Sequence, residues 1–160
     1  MNIPWHQPSE FRAAVDSLAR LDMNRGRELD PVRALAMEIN GRIRRMSGDL
    51  DRICRITCPG CRDNCCQRAT IFYDFKDLLY LYFGPDRLPR RQICREAGRC
   101  IHLGDRGCVL PRDRRPFVCT WYFCPAQKQD PGFGGLNGIV WEIKALREEM
   151  EDGFCRITSV

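Results

Sequence analysis

Residues 58–66 read CPGCRDNCC, four cysteines in nine positions. Thiols can ligate a metal, pair as disulfides or exchange electrons, and a run this dense beside Arg62 and Asp63 does not read as core packing. The C-x-x-C unit suits a metal, because Cys58 and Cys61 can point inward across a tight turn that Pro59-Gly60 favours. Cys65 and Cys66 are neighbours, and neighbouring side chains diverge. One of them is therefore buried while the other ligates, or each serves a different metal. A second block, GRCIHLGDRGCVLPRDRRPFVCTWYFCP at 98–125, carries Cys100, Cys108, Cys119 and Cys124. Gly107 gives the backbone freedom to present Cys108, and Pro116 can open a helical turn that places Cys119. A tetrahedral thiolate site needs ligands from a second knuckle, so the two blocks are expected to converge in space.

Context favours metal over disulfide. The chain holds 11 cysteines among 160 residues. Its start, MNIPWHQPSEFRAAVDS, lacks a basic stretch followed by an apolar one, which predicts no secretory signal. No apolar run reaches membrane-spanning length, so no membrane partner is expected. These features predict a cytoplasmic chain with reduced thiols, where clustered cysteines read as metal ligands. Zinc and iron, including an iron–sulfur cluster, both accept all-cysteine ligation. The spacing matches neither the bacterial nor the plant-type ferredoxin run. His6 lies near the N-terminus, and His102 reads as a surface residue despite its nearness to Cys100.

The net charge is +5, with 23 arginines against 3 lysines. A genomic preference for arginine codons explains this blandly. Contact with phosphates or nucleic acid is the functional alternative. A local reading also exists. Four thiolates on a divalent ion carry about −2, and Arg55, Arg62, Arg68, Arg99, Arg106, Arg112, Arg114 and Arg115 flank the candidate ligands. They can offset that charge or form a solvated basic face.

The elements that must position these residues are mostly helical. Apolar residues at Phe11, Ala14, Val15, Leu18 and Leu21 predict a helix over 9–25, capped by Ser9 and stopped by Gly26. Asp30-Pro31 opens a second helix whose stripe runs from Val32 to Ile53 and delivers the chain into the first cysteine block. Asp74 can cap FKDLLYLYF. RRQICREA suggests a short helix, QDPGFGGLNG a glycine-rich linker, and Asn137 the start of a last helix ending near Gly153. FCRIT at 154–158 echoes ICRIT at 53–57. Chance explains the echo more simply than a two-stranded pairing does, and the tail reads as extended. The expected architecture is mainly α: one small helical domain over 1–160 with two cysteine-rich metal-binding loops and at most a short two-stranded pairing. The metal-binding core spans about 54–125, between helical flanks at 9–53 and 137–152.

The cysteine pattern resembles the YkgJ-type cysteine-cluster family of zinc- or iron-chelating domains. That family carries a C-x-x-C-x-x-C-C block followed by a segment like C-x-x-L…G-x-C…R-P-x-x-C. Here the second segment is CIHLGDRGCVLPRDRRPFVC, with Cys100, Leu103, Gly107, Cys108, Arg115, Pro116 and Cys119 in the matching places. Three residues separate Cys61 from Cys65 where the family has two, which leaves open the roles of Cys65 and Cys66. The resemblance implies metal chelation by Cys58, Cys61, Cys65 or Cys66, Cys100, Cys108 and Cys119. Cys54, Cys94 and Cys155 fall outside the pattern, and Cys124 stands beside it. It implies no substrate, and the sequence names no protein partner. Two other readings are a protein-modifying enzyme, since flagellin lysine N-methylases carry a similar cluster, and a zinc-dependent nucleic-acid module using Trp121, Tyr122 and Phe123. The chain has no nucleotide fingerprint, because GFGG at 132–135 follows a turn rather than a strand.

Overall fold

The computed structural model describes residues 3–59, 61, 69–85, 88–96, 98–105 and 107–159. Within them the fold is mainly helical. Helix α1 (Pro8–Arg25) leads through a 3-10 turn at Gly26–Leu29 into the long helix α2 (Asp30–Thr57). Helix α3 (Phe75–Phe83) follows the first cysteine block. Two small antiparallel hairpins come next: β1 (Arg95–Glu96) with β2 (Arg99–Cys100), and β3 (Leu103–Gly104) with β4 (Gly107–Cys108). A 3-10 turn at Arg112–Arg114 and two single-turn helices, α4 (Val118–Trp121) and α5 (Pro125–Lys128), lead to the closing helix α6 (Phe133–Thr158).

The core lies where α2, α3 and α6 meet. The apolar stripe of α2 buries Val32, Ile39, Ile43, Met46, Leu50 and Ile53, at steps of three, four and seven. Helix α6 faces it with Leu136, Val140, Ile143 and Met150, and α3 inserts Leu78, Leu79 and Leu81. Gly41 and Gly48 sit within the continuous span of α2.

Several elements differ from the sequence expectation. Helix α1 starts one residue early, with Gln7 rather than Ser9 preceding it; Pro8 fits the first turn, and Glu10 accepts the Gln7 amide at 3.2 Å. RRQICREA forms no helix. The Gln92 carboxamide accepts from the backbone amides of Tyr73 and Ile93 (2.6 and 2.9 Å) and donates to the Tyr73 carbonyl (3.0 Å). Those bonds hold the segment against Tyr73 in place of helical ones. Of the expected linker's glycines, Gly132 caps α6 and Gly134, Gly135 and Gly138 lie within it; Phe133 packs edge-on against Phe123 at 5.0 Å and fixes the entry. The tail is helical through Thr158, because Phe154 extends the stripe and contacts Phe75 and Phe83 at 5.7 and 6.2 Å. Both CRIT segments are last turns of helices, and the strands that do pair lie within residues 95–108, in and just before the second cysteine block. Among the described residues no helix is long and apolar enough to cross a membrane.

Candidate metal centre

Cys54 lies in the last turn of α2, and Cys58 follows as its C-cap. The Cys58 amide donates to the Cys54 carbonyl at 2.9 Å, so the two thiols project from successive turns of one face. The next turn closes through the Cys61 amide, which donates to the Cys58 carbonyl at 3.1 Å.

The second block is built from two tight reversals. Gly98 and Gly107 take φ values of 79° and 108°, a region that side chains with a Cβ avoid. These reversals set Cys100 opposite Arg95 and Cys108 opposite Leu103. Cys100 is buried, which pushes its thiol up from the ordinary range. Cys119 sits in a helical turn begun by Pro116, whose carbonyl accepts the Cys119 amide at 2.9 Å.

The segment leading into Cys119 is fastened to the helical core by its backbone. The Tyr80 and Tyr73 hydroxyls donate to the carbonyls of Asp113 and Arg114, each at 2.8 Å. The Phe117 amide donates to Asp77 Oδ1 at 3.0 Å. Asp77 also receives Arg147 at 2.7 Å, and Arg147 spans to both oxygens of Asp74 at 2.8 and 3.0 Å. The Arg147 guanidinium carbon lies 4.6 Å from the centre of the Phe117 ring. Burial pushes the Asp77 carboxyl up to about 6, with Arg147 opposing the rise. Asp74 and Asp77 form the reciprocal cap of α3, so one pair of carboxylates both starts a helix and anchors the cysteine segment.

These elements surround a cavity of about 460 Å³. Among the described residues five thiols line it: Cys54 and Cys58 from the end of α2, and Cys100, Cys108 and Cys119 from the second block. Of the sequence-predicted ligands, Cys58, Cys100, Cys108 and Cys119 therefore share one cavity. Cys61 follows in the adjoining turn and does not line it. Cys65 and Cys66 lie outside the described residues. Among the described residues, no three His, Cys, Asp or Glu side chains cluster closely enough to hold an ion as they stand. Cys94 and Cys124 are half-buried away from the cavity, and Cys155 is exposed on α6.

Sequence reasoning passed over Cys54. Its sulfur accepts from Gln127 Nε2 at 3.4 Å and from Arg112 at 3.5 Å. The hydrogen bond with Cys58 and the nearby Arg112 charge bring its thiol down to about 6, against the opposing effect of burial. The available signal was the four-residue step from Cys54 to Cys58 on a helix that was itself recognised.

Charge around the cavity complements thiolates. Arg55, Arg99, Arg112 and Arg115 line it. Arg112 is buried and bound to Asp51 at 2.8 and 3.0 Å. Arg99 donates to the Leu103 carbonyl (2.8 Å), and Arg115 to the carbonyls of Leu110 (2.9 Å) and Cys108 (3.4 Å). Among the described residues Arg55, Arg99 and Arg115 have no carboxylate partner. Soft sulfur donors, N–H groups aimed at one sulfur and unmatched positive charge form a set that fits a metal–thiolate group. Arg114 points to a different cavity, and Arg62, Arg68 and Arg106 lie outside the described residues.

The three aromatics beside Cys119 divide. Phe123 is core, whereas Trp121 and Tyr122 are exposed and Lys144 lies 4.8 and 4.4 Å from the ring centres of Trp121 and Trp141. No family model, no curated protein and no solved structure matches the chain.

Proposed function

We propose that the chain is a cytoplasmic metal-binding protein that chelates zinc or an iron–sulfur cluster through thiolates of both cysteine blocks. The observation that carries this reading is the shared cavity of Cys58, Cys100, Cys108 and Cys119, joined by Cys54 and lined by Arg112, which is paired with Asp51, and by Arg55, Arg99 and Arg115, which have no carboxylate partner among the described residues. Cys58, Cys100, Cys108 and Cys119 also stand at positions that resemble the zinc- or iron-chelating YkgJ-type pattern. Cys58, Cys100, Cys108 and Cys119 would hold the group, with Cys61 and Cys65 or Cys66 as further donors from the first block. Arg112 and Gln127 would donate hydrogen bonds to sulfur and hold the donor set in register. Bound zinc supplies a structural cross-link between α2 and the hairpins, and an iron–sulfur cluster supplies an electron-transfer centre as well.

The test is anaerobic purification followed by metal analysis and a visible absorption spectrum. Cys58→Ser, Cys100→Ser and Cys119→Ser should each lower the metal-to-protein ratio, and Cys94→Ser should not. A wild-type protein that carries neither zinc nor iron, and takes up neither on reconstitution, overturns the reading.

A further inference from the structure

A second cavity, of about 250 Å³, lies beside the hairpins and is separate from the thiols. Arg90, Arg91, Arg114 and His102 line it. Among the described residues none of these arginines has a carboxylate partner, in contrast to Arg33, Arg42, Arg52, Arg112 and Arg147. The remainder of the wall is apolar, from Leu88, Ile101, Leu110 and the Tyr73 ring. The segment carrying Arg114 is held in place, because the Arg114 carbonyl accepts from Tyr73 and the neighbouring Asp113 carbonyl from Tyr80.

We propose that this cavity binds a small organic phosphate. Three arginines line one concavity, and a phosphate monoester offers three terminal oxygens, each of which accepts charge-assisted hydrogen bonds from guanidinium forks. A carboxylate offers only two oxygens. A solvated basic face would be convex and would need no apolar wall. Here Leu88 and Ile101 provide a surface for a less polar body attached to the phosphate. The volume agrees, since it is well above the roughly 30 Å³ that one water occupies in the liquid. The site depends on no thiol, so it stands or falls separately from the metal reading.

The test is calorimetric titration of the full chain, as purified, with phenyl phosphate, inorganic phosphate and benzyl alcohol. Phenyl phosphate should bind saturably, inorganic phosphate more weakly, and benzyl alcohol not at all. Arg91→Ala and Arg114→Met should each weaken phenyl phosphate binding about tenfold, the loss expected for one charged hydrogen-bonding partner. Arg90→Ala, at an exposed position, provides a third variant that leaves the fold untouched. Arg55→Ala and Arg99→Ala, on the thiol cavity, should leave binding unchanged. Equal binding by wild type and the Arg91 and Arg114 variants overturns the proposal, as does the absence of saturable binding. Tight binding of a short RNA that phenyl phosphate does not displace also overturns it, because the surface then reads a polyanion rather than a small phosphate.

Discussion

Replacing Asp77 by alanine would strand three groups at once. Arg147 loses its 2.7 Å partner, the Phe117 amide loses its acceptor, and the Asp74 amide loses the return bond of the α3 cap. Asp77 is 2% exposed and Arg147 4%, so water cannot replace the lost partners without opening the core. Breaking one side of a buried ion pair costs about 3–5 kcal/mol. Arg147 keeps both oxygens of Asp74, which moves the cost toward the lower end. The unpaired Phe117 amide adds about 1–3 kcal/mol. A loss of about 4 kcal/mol is therefore expected, a large part of the roughly 5–15 kcal/mol that holds a domain together. Urea denaturation followed by circular dichroism measures it, and thiol labelling of Cys119 should speed up in parallel. The double variant Asp77→Leu/Arg147→Met should recover much of the loss, because apolar residues can replace a buried ion pair at little cost while the amide penalty stays. The pH dependence has a definite sign. Asp77 holds its proton more tightly folded than unfolded, so its contribution is present below about pH 4 and is lost as pH rises through about 6. Wild-type stability relative to Asp77→Asn should therefore fall between those values. An Asp77→Ala cost below about 1 kcal/mol would refute the anchoring role of this network, and a rise relative to Asp77→Asn would refute the burial-driven shift.

Three further outcomes follow from other parts of the fold. In reduced, metal-free protein, alkylation of Cys54 should already plateau near neutral pH, since its thiol is brought down to about 6; Arg112→Gln should shift the profile upward, and a rate still climbing through the usual thiol range would contradict the described contacts. Gly107→Ala should destabilise the protein by about 1–3 kcal/mol, because its φ of 108° is strained for any residue with a Cβ; denaturation midpoints that match wild type would count against the reversal. A strong chelator under reducing conditions should leave most of the helical dichroism intact while making residues 98–125 protease-sensitive, because α2, α3 and α6 bury their stripes against one another without using a cysteine. Collapse of the helical signal would show that the metal organises the whole domain.

The parts of the fold that the sequence disclosed were those written in a local period. The stripes of α1 and α2, the Asp74 cap and the backbone freedom at Gly107 each follow from neighbouring residues. What escaped depended on distant ones. Gln92 holds its segment out of a helix only because Tyr73 lies beside it. Gly134 and Gly135 enter a helix because Phe133 meets Phe123. Phe154 continues the α6 stripe beyond Gly153, a step of four from Met150 that was legible but was outweighed by the glycine. At the candidate site the convergence of the two cysteine blocks was readable, and Cys58 shares a cavity with Cys100, Cys108 and Cys119. Cys54 was discarded for lying outside a motif, although a thiol four residues before Cys58 on a helix must share its face. The Asp74–Asp77–Arg147 anchor had no local signature, since Arg147 reaches across some seventy residues of sequence.

One helix carries both the main core stripe and two of the thiols, and this has a consequence in time. Helix α2 packs through Val32 to Ile53 without a cysteine, so Cys54 and Cys58 would already stand as a fixed pair before any ion arrived. An incoming ion would meet that pair first. Cys100 and Cys108 would join afterwards from reversals at Gly98 and Gly107, and Cys119 from the turn begun at Pro116. With the chain ends of these segments held by the folded core, only short stretches remain to be ordered, and the entropy of closing the long intervening loop has already been spent. Capture would then proceed from a standing half-site to a closed one, and release would run in reverse, with the hairpins leaving before the helix.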